Sequence, residues 1–114
     1  MGDAAGVVAI AEVRFADGVP PGRSVADRLD EIRRRIQAAL TYPPLARLHH
    51  AEGTALVHFE VGRDGAAEAL EVADSSGVPA LDRAALRAVH AAAPLPWVFG
   101  RLAVPVRFAL DDTR

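Results

Sequence analysis

The sequence lacks cysteine altogether, and every one of its 13 basic residues is arginine, with no lysine. Without cysteine, the chain has no disulfides, no thiolate metal ligands and no thiol nucleophile. This absence leaves the cellular compartment open, because a cysteine-free chain is at home in the cytosol or the periplasm. We attribute the choice of arginine over lysine first to genomic base composition, although arginine also makes the better bidentate contact.

Long apolar runs are also missing. No run approaches the roughly 20 residues that a membrane-spanning helix requires, and residues 6–11 lack the charged start and long apolar middle of a signal peptide. The net charge of −2 argues against a nucleic-acid surface, and no polybasic tract indicates anionic lipid. We expect one soluble domain with a modest core. If it acts outside the cytosol, a targeting segment has been removed or the chain is a fragment.

The clearest pattern that is present predicts a β-hairpin over residues 53–73. Apolar and polar residues alternate along its first strand, and the apolar members are Ala55, Val57, Phe59 and Val61. This period of two places one apolar face against a core. Residues 62–65 (GRDG) supply a turn, in which Asp64 can bond its own backbone, and a second strand follows over residues 67–73.

Two amphipathic helices are predicted on either side of this hairpin. In the first, over residues 25–40, the apolar positions are Leu29, Ile32, Ile36 and Leu40. Ser24 and Asp27 predict a capping box at its start, and its arginines at 33–35 are interpreted as a solvated face. The second helix, over residues 79–92, begins at Pro79, and its small residues suggest that it lies close against the sheet.

The last predicted strand covers residues 101–110, where apolar and other residues alternate around a central proline. Because Pro105 cannot donate to a ladder, we expect an edge strand with this proline on its open or bulged side. Residues 7–15 have β-type composition, with Ala9, Ala11, Val13 and Phe15 on one alternating face. They are expected to form an extra strand or an ordered arm. The order of elements is therefore (β)-α-β-β-α-β.

No arrangement in the sequence argues for catalysis or for a cofactor. His49 and His50 are adjacent, whereas His58 and His90 lie in separate elements without paired metal-ligand spacing. The serines at 75–76 form a turn without the pattern of a nucleophile elbow. We therefore expect no enzyme activity, no cofactor and no metal.

Four motifs in register resemble the C-terminal domain of TonB-type energy transducers. They are Tyr42-Pro43-x-x-Ala46; Gly53 leading a strand that ends in Val61-x-x-Asp64-Gly65; Ser75-Ser76-Gly77-x-Pro79-x-Leu81-Asp82-x-Ala84-Ala85; and Val104-Pro105-Val106-x-Phe108. The resemblance covers about residues 38–111. It implies an α+β fold, with two helices packed on one face of a three-stranded antiparallel sheet. We therefore divide the chain into an N-terminal arm or extra strand plus loop (1–23) and a TonB C-terminal-like domain (24–114).

The resemblance also implies a function in energy-coupled uptake across the outer membrane. TonB-type proteins are anchored in the inner membrane and cross the periplasm, and the ExbB–ExbD motor supplies their energy. Their C-terminal domain captures the TonB-box peptide of an outer-membrane TonB-dependent transporter by β-strand addition. This chain contains neither the anchor nor the proline-rich spacer, so ExbB–ExbD contact would come through missing N-terminal parts.

On this resemblance, the residues expected to contact the peptide lie in the last strand and in one loop. They are Leu102, Ala103, Val104, Pro105, Val106, Arg107, Phe108 and Ala109 in the strand, and Tyr42 and Pro43 in the loop. Pairing is expected to use neighbours of Pro105 such as Val104 and Val106, whichever point outward. For Tyr42 we favour a structural role, in which its ring covers the core. The alternative function is a TolA-like or free-standing scaffold that binds a regulator or itself.

Residues 7–15 are the part that the family does not explain. Their alternating pattern must bury one face, so we expect them to add as a fourth strand within the chain, or by exchange between two chains as a homodimer. If they took the edge at residues 102–109, they would compete with the transporter peptide as an internal brake. Deleting residues 1–20 is then expected to raise peptide affinity.

Overall fold

The computed structural model describes residues 5–111 of the chain. Five strands and three helices follow one another along it. The elements are β1 (Ala5–Ala9), β2 (Arg14–Phe15), α1 (Arg23–Ala39), α2 (Pro44–Leu48), β3 (Gly53–Val61), β4 (Ala67–Asp74), α3 (Pro79–Ala91) and β5 (Leu102–Asp111). The strands form one sheet in the order β1-β5-β3-β4, and β2 also pairs with β5. All of the pairings are antiparallel.

The core lies between one face of this sheet and the two long helices. The alternating apolar residues of β3 are buried as predicted, and Val57 and Phe59 are completely inaccessible to solvent. From the helices, α1 contributes Leu29, Ile32 and Ile36 to the same cluster. Alanines along the inner side of α3 let that helix approach the sheet closely. The α+β prediction is therefore confirmed, and the arm adds two strands to the three that the resemblance implies.

The start of α1 differs from the prediction. The helix begins at Arg23 with Gly22 as its N-cap, and no side chain caps it. Ser24 therefore lies inside the first turn, so the predicted capping box is wrong. Further along, the arginines at 33–35 pair with Asp30 and Glu31 on the solvent side of the helix, as predicted for a solvated face. Exposed pairs of this kind contribute little to stability.

The turn of the β3–β4 hairpin shows why glycine is required at one position. Gly65 has a φ of +88°, which side chains strongly disfavour. A Cβ atom at this position would lie 2.8 Å from Cβ of Pro94. The Gly65 carbonyl also accepts a hydrogen bond of 2.8 Å from the Leu95 amide, so this turn supports the loop before β5. The carboxylate of Asp64 accepts the Ala66 amide hydrogen bond at 3.0 Å, as predicted for a turn aspartate.

A second turn, between β4 and α3, is organised around the carboxylate of Asp82. Its oxygens accept hydrogen bonds from the Ser76 amide at 2.9 Å, from the Ser76 hydroxyl at 2.7 Å and from the Ser75 hydroxyl. Partial burial opposes ionisation of this group, but the hydrogen bonds from both serines outweigh it and lower the pKa of Asp82. The ionised carboxylate therefore stabilises the turn.

Replacing Asp82 with asparagine should lower the free energy of unfolding at pH 7 by about 1 kcal/mol, because hydrogen bonds to a charged acceptor become neutral ones. The folded-state pKa is depressed, so the contribution is complete above the unfolded-state pKa of about 4 and is lost as the pH falls through the folded value. Thermal unfolding between pH 2 and 7 measures this difference. Asp74→Asn, at an exposed position of β4, is the matched control. A deficit that persists unchanged at pH 2 would contradict this account.

Candidate functional site

The strand that carries most of the predicted contact residues, β5, lies inside the sheet. Its residues Leu102, Val104, Val106 and Phe108 point into the core and are at most 1% exposed. Arg107, on the opposite face, is exposed. The sequence therefore identified the strand and its buried face correctly. The expectation that this strand is an edge is wrong, because β3 lies on one side of it and the arm on the other.

The arm, residues 5–15, covers the side of β5 that the prediction left open. Strand β1 pairs with residues 107–111, and Val7 lies opposite Ala109. Strand β2 pairs with residues 102 and 103. An uncovered edge would leave a row of backbone donors and acceptors unpaired, and the arm satisfies them. The expectation that residues 7–15 add to the sheet within the chain is confirmed.

The backbone groups of β5 that face the arm belong to its odd-numbered residues. The Ala16 amide donates a 2.8 Å hydrogen bond to the Arg101 carbonyl, which fixes the side on which residue 101 presents its groups. Since every second residue of a strand faces the same neighbour, Ala103, Arg107 and Ala109 also face the arm. Val104 and Val106 were expected to pair with the peptide, but their backbone groups have the opposite parity and face β3.

Pro105 shares the odd parity, so the position of its missing N–H also faces the arm. The arm has no strand at this point, because residues 10–13 separate β1 from β2. Ile10 and Val13 instead turn into the core, where they are 4% and 6% exposed. The expectation for Pro105 on the open or bulged side of the strand is consistent with this gap.

The same gap explains an error in the predicted face of the arm. Ala9 and Ala11 were expected on the buried side with Val13, but both are exposed. Val8 and Ile10 pack against the core instead. The core-facing positions are thus 10 and 13, which are buried, and 8 and 15, which are partly buried. The interval of three across the gap shifts the alternation by one residue.

A single side chain on α1 holds the outer side of the arm. The Gln37 amide nitrogen donates to the Val8 carbonyl at 2.6 Å, and its oxygen accepts from the Ile10 amide at 2.9 Å. Gln37 therefore pairs with two backbone groups of the arm that face away from β5. Sequence reasoning missed this residue, because a glutamine on a helix gives no local sign of a distant strand.

Tyr42 lies beneath the arm at its contact with β5. Its ring is 9% exposed and packs edge-to-face on Phe108, with centroids 5.4 Å apart. Its hydroxyl donates to the Ala51 carbonyl. Burial, and secondarily the charge of Glu52, raises the pKa of Tyr42, so the phenol remains a donor at neutral pH. Pro43 follows as the N-cap of α2.

The arm can cross Tyr42 closely because it has a glycine there. A Cβ atom on Gly6 would lie 2.6 Å from Cδ2 of Tyr42 and 3.2 Å from Cδ of Arg47. Any larger residue at this point would force the tyrosine ring or the arm to move. The structure therefore brings Tyr42 together with the covered side of β5.

The other edge of the sheet, along β4, is poorly suited to pairing. Its register with β3 shifts twice, and Ala69 has a φ of +51°. The guanidinium of Arg101 donates to the Ala69 carbonyl at 3.2 Å and to the carboxylate of Glu71 at 2.6 Å. Bulges and charged side chains of this kind blunt an edge against strand addition.

The remaining candidates of the sequence analysis do not converge on a site. His49, His50 and His90 are exposed, and residues 5–111 contain no group of three side chains arranged to hold a metal ion. Within the same residues, no helix is long and apolar enough to cross a membrane.

The fold is that of a small α+β domain, in which two helices cover one face of an antiparallel sheet. The last strand of this sheet pairs with an added extended segment along its outer side. The chain belongs to the family described as Gram-negative bacterial TonB protein C-terminal, whose model matches residues 38–110. The resemblance found in the motifs is therefore confirmed. The arm and most of α1 precede the matched residues.

Two relatives agree with this assignment. Protein TonB of Haemophilus influenzae is 41% identical over 59 residues, which are 52% of this chain and 22% of that protein. The chain thus spans less than a quarter of the length of this curated relative. The NMR solution structure of the Helicobacter pylori TonB C-terminal domain matches with a TM-score of 0.70 at 27% identity. That match covers 87% of this chain and 91% of the Helicobacter domain.

Proposed function

We propose that this chain is the periplasmic C-terminal domain of a TonB-type energy transducer. In this role it captures the TonB-box peptide of an outer-membrane transporter by strand addition to β5, and transmits energy for uptake by binding and without catalysis. Parts of the transducer outside these 114 residues would anchor it in the inner membrane and contact ExbB–ExbD. Family membership supports the general role, and the geometry of β5 supports the mode of capture.

The observation that carries the proposal is that β5 already accepts an extended antiparallel segment along its outer side. The arm pairs with five residues of β5 through β1 and with two through β2. A peptide in the same place would use the backbone groups of Ala103, Arg107 and Ala109. Main-chain hydrogen bonds of this kind supply affinity, and alternate side chains supply specificity.

The predicted contact residues take different roles in this arrangement. The core-facing members, Leu102, Val104, Val106 and Phe108, hold the strand in position and contact alternate side chains of the peptide. The odd-numbered members, Ala103, Pro105, Arg107 and Ala109, face it with their backbone. Tyr42 and Pro43 would flank the peptide near the place where Gly6 crosses the tyrosine ring.

Titration of the ¹⁵N-labelled protein with a TonB-box peptide tests this proposal. We expect the largest amide shifts at Ala103, Arg107 and Ala109 and along the arm, because these groups change partners. The matched control is the same peptide with N-methyl groups on alternate amides, which keeps its side chains but prevents strand pairing. This control peptide should bind at least about tenfold more weakly, since several hydrogen bonds are lost.

Two results would contradict the proposal. Shifts confined to α1 or to β4 would place the peptide elsewhere, and equal affinity of the N-methylated peptide would exclude strand addition. Absence of peptide binding together with self-association of the chain would favour the scaffold alternative.

A further inference from the structure

The arm and a partner peptide require the same backbone groups of β5. Each backbone N–H of β5 has one hydrogen to donate, and β1 and β2 pair with the positions that a peptide would use. Strand addition to this side of β5 therefore cannot occur while the arm is in place. The covered state and the peptide-bound state exclude each other.

No other edge of the described sheet offers an equivalent place. The outer side of β1 is the new edge, but Gln37 already pairs with the Val8 carbonyl and the Ile10 amide. On the opposite side, β4 is bulged, and its Ala69 carbonyl is bonded to Arg101. A peptide that adds as a strand must therefore take the β5 position from the arm.

We propose that residues 5–15 are an intramolecular competitor for the β5 edge, held closed by Gln37, and that a partner peptide binds only after the arm has left. This inference rests on the proposed function, since it concerns access to the same edge. It adds a regulatory step, because anything that releases the arm makes the edge available.

The arm combines buried side chains, which favour docking, with an exposed connection, which allows it to be displaced. Ile10 and Val13 bury their side chains, which favours the covered state. The connection to α1, residues 16–22, is exposed throughout and contains two prolines and two glycines. It can act as a tether while the arm is displaced. The apparent affinity for peptide equals the affinity of the open form multiplied by the fraction of molecules in which the arm has left the edge.

A reversible crosslink between the arm and β5 gives the sharpest test with the full chain. Val7 and Ala109 are opposite each other in the β1–β5 pairing. The sequence contains no cysteine, so two introduced cysteines can pair only with each other. In the variant Val7→Cys/Ala109→Cys, oxidation should fix the arm in place and reduction should free it. We expect the oxidised protein to bind the TonB-box peptide at least about tenfold more weakly than the same protein when reduced, because the crosslink removes the open molecules, which alone can bind the peptide.

A matched control carries the crosslink on a different strand pair. His58 and Glu71 are opposite each other in the β3–β4 pairing, so oxidised His58→Cys/Glu71→Cys leaves the arm free. Its peptide affinity should not change on oxidation. Light scattering after gel filtration confirms that the β1–β5 crosslink is within one chain. A disulfide-linked dimer would overturn the intramolecular competitor and indicate exchange of arms between copies.

Gln37→Ala tests whether the Gln37 side chain holds the arm in place, and it leaves the residues of the arm and of β5 unchanged. Loss of its two hydrogen bonds should raise the apparent peptide affinity by about tenfold, if each bond is worth about 0.7 kcal/mol. Equal binding by the oxidised and reduced β1–β5 variant, with unchanged affinity in Gln37→Ala, would overturn this inference alone. If no form of the protein binds the peptide, the proposed function fails and the competitor fails with it.

Discussion

Replacing Phe59 with alanine should lower the free energy of unfolding by about 3–5 kcal/mol. The Phe59 ring is completely buried in the central strand β3, opposite Leu102 of β5. Its removal would leave a cavity between the sheet and the helices, which the close-packed surroundings cannot fill. Since a domain of this kind is stable by only about 5–15 kcal/mol, the variant should be unfolded to a measurable extent at modest denaturant concentration.

Urea unfolding followed by circular dichroism measures the loss. The control is Phe99→Ala, the same substitution at a side chain that is 82% exposed. It should change the free energy of unfolding by no more than about 0.5 kcal/mol. If the two variants were equally destabilised, the assignment of Phe59 to the centre of the core would be wrong.

Tyr42→Ala should lower the free energy of unfolding by about 3 kcal/mol, because the ring packs on Phe108 and lies under the arm. Peptide affinity per folded molecule should not fall, because in the structural role the ring makes no contact that peptide binding needs. Any loosening of the arm, which lies over the ring, would raise the affinity. This outcome corresponds to the structural role that is predicted for Tyr42 from the sequence. Thermal unfolding and a peptide titration, corrected for the folded fraction, measure the two quantities separately.

Tyr42→Phe is the matched control for the hydroxyl group. It keeps the ring and removes only the hydrogen bond to the Ala51 carbonyl, so it should cost about 1 kcal/mol. A Tyr42→Ala variant that is stable but binds peptide poorly would show that the ring contacts the peptide directly.

Local patterns were enough to predict the elements that carry the core. The alternation in β3 and the helical spacing of Leu29, Ile32 and Ile36 follow from the repeat of a single strand or helix. The glycines and aspartate of the hairpin turn follow from the backbone geometry of that turn. The proline in β5 marked a position without a donor, which lies opposite the gap in the arm, but the edge strand that it predicted is wrong. Each of these patterns and the structure that it predicts lie within the same short stretch of sequence.

The position of the arm in the sheet could not be predicted from local sequence patterns. Its sequence shows that residues 7–15 must bury a face, but nothing local states which strand they join. The shift at residues 10–13 lies opposite Pro105, which is far along the chain. The role of Gln37 depends on both, because its amide pairs with backbone groups whose positions exist only after the arm has docked.

The pairing of Ala5 with Asp111 makes the domain suitable for circular permutation. Opposite residues of an antiparallel pair have Cα atoms about 5 Å apart, a distance that a two-residue turn can bridge. Joining residue 111 to residue 5 by such a turn, in place of residues 1–4 and 112–114, would close the described backbone into a ring, which could be reopened in the exposed loop at residues 16–22. In that circular permutant, β1 would follow β5 as an ordinary hairpin. A pairing between the two ends of the described residues would become a local one, which lowers the contact order and favours faster folding of the same architecture.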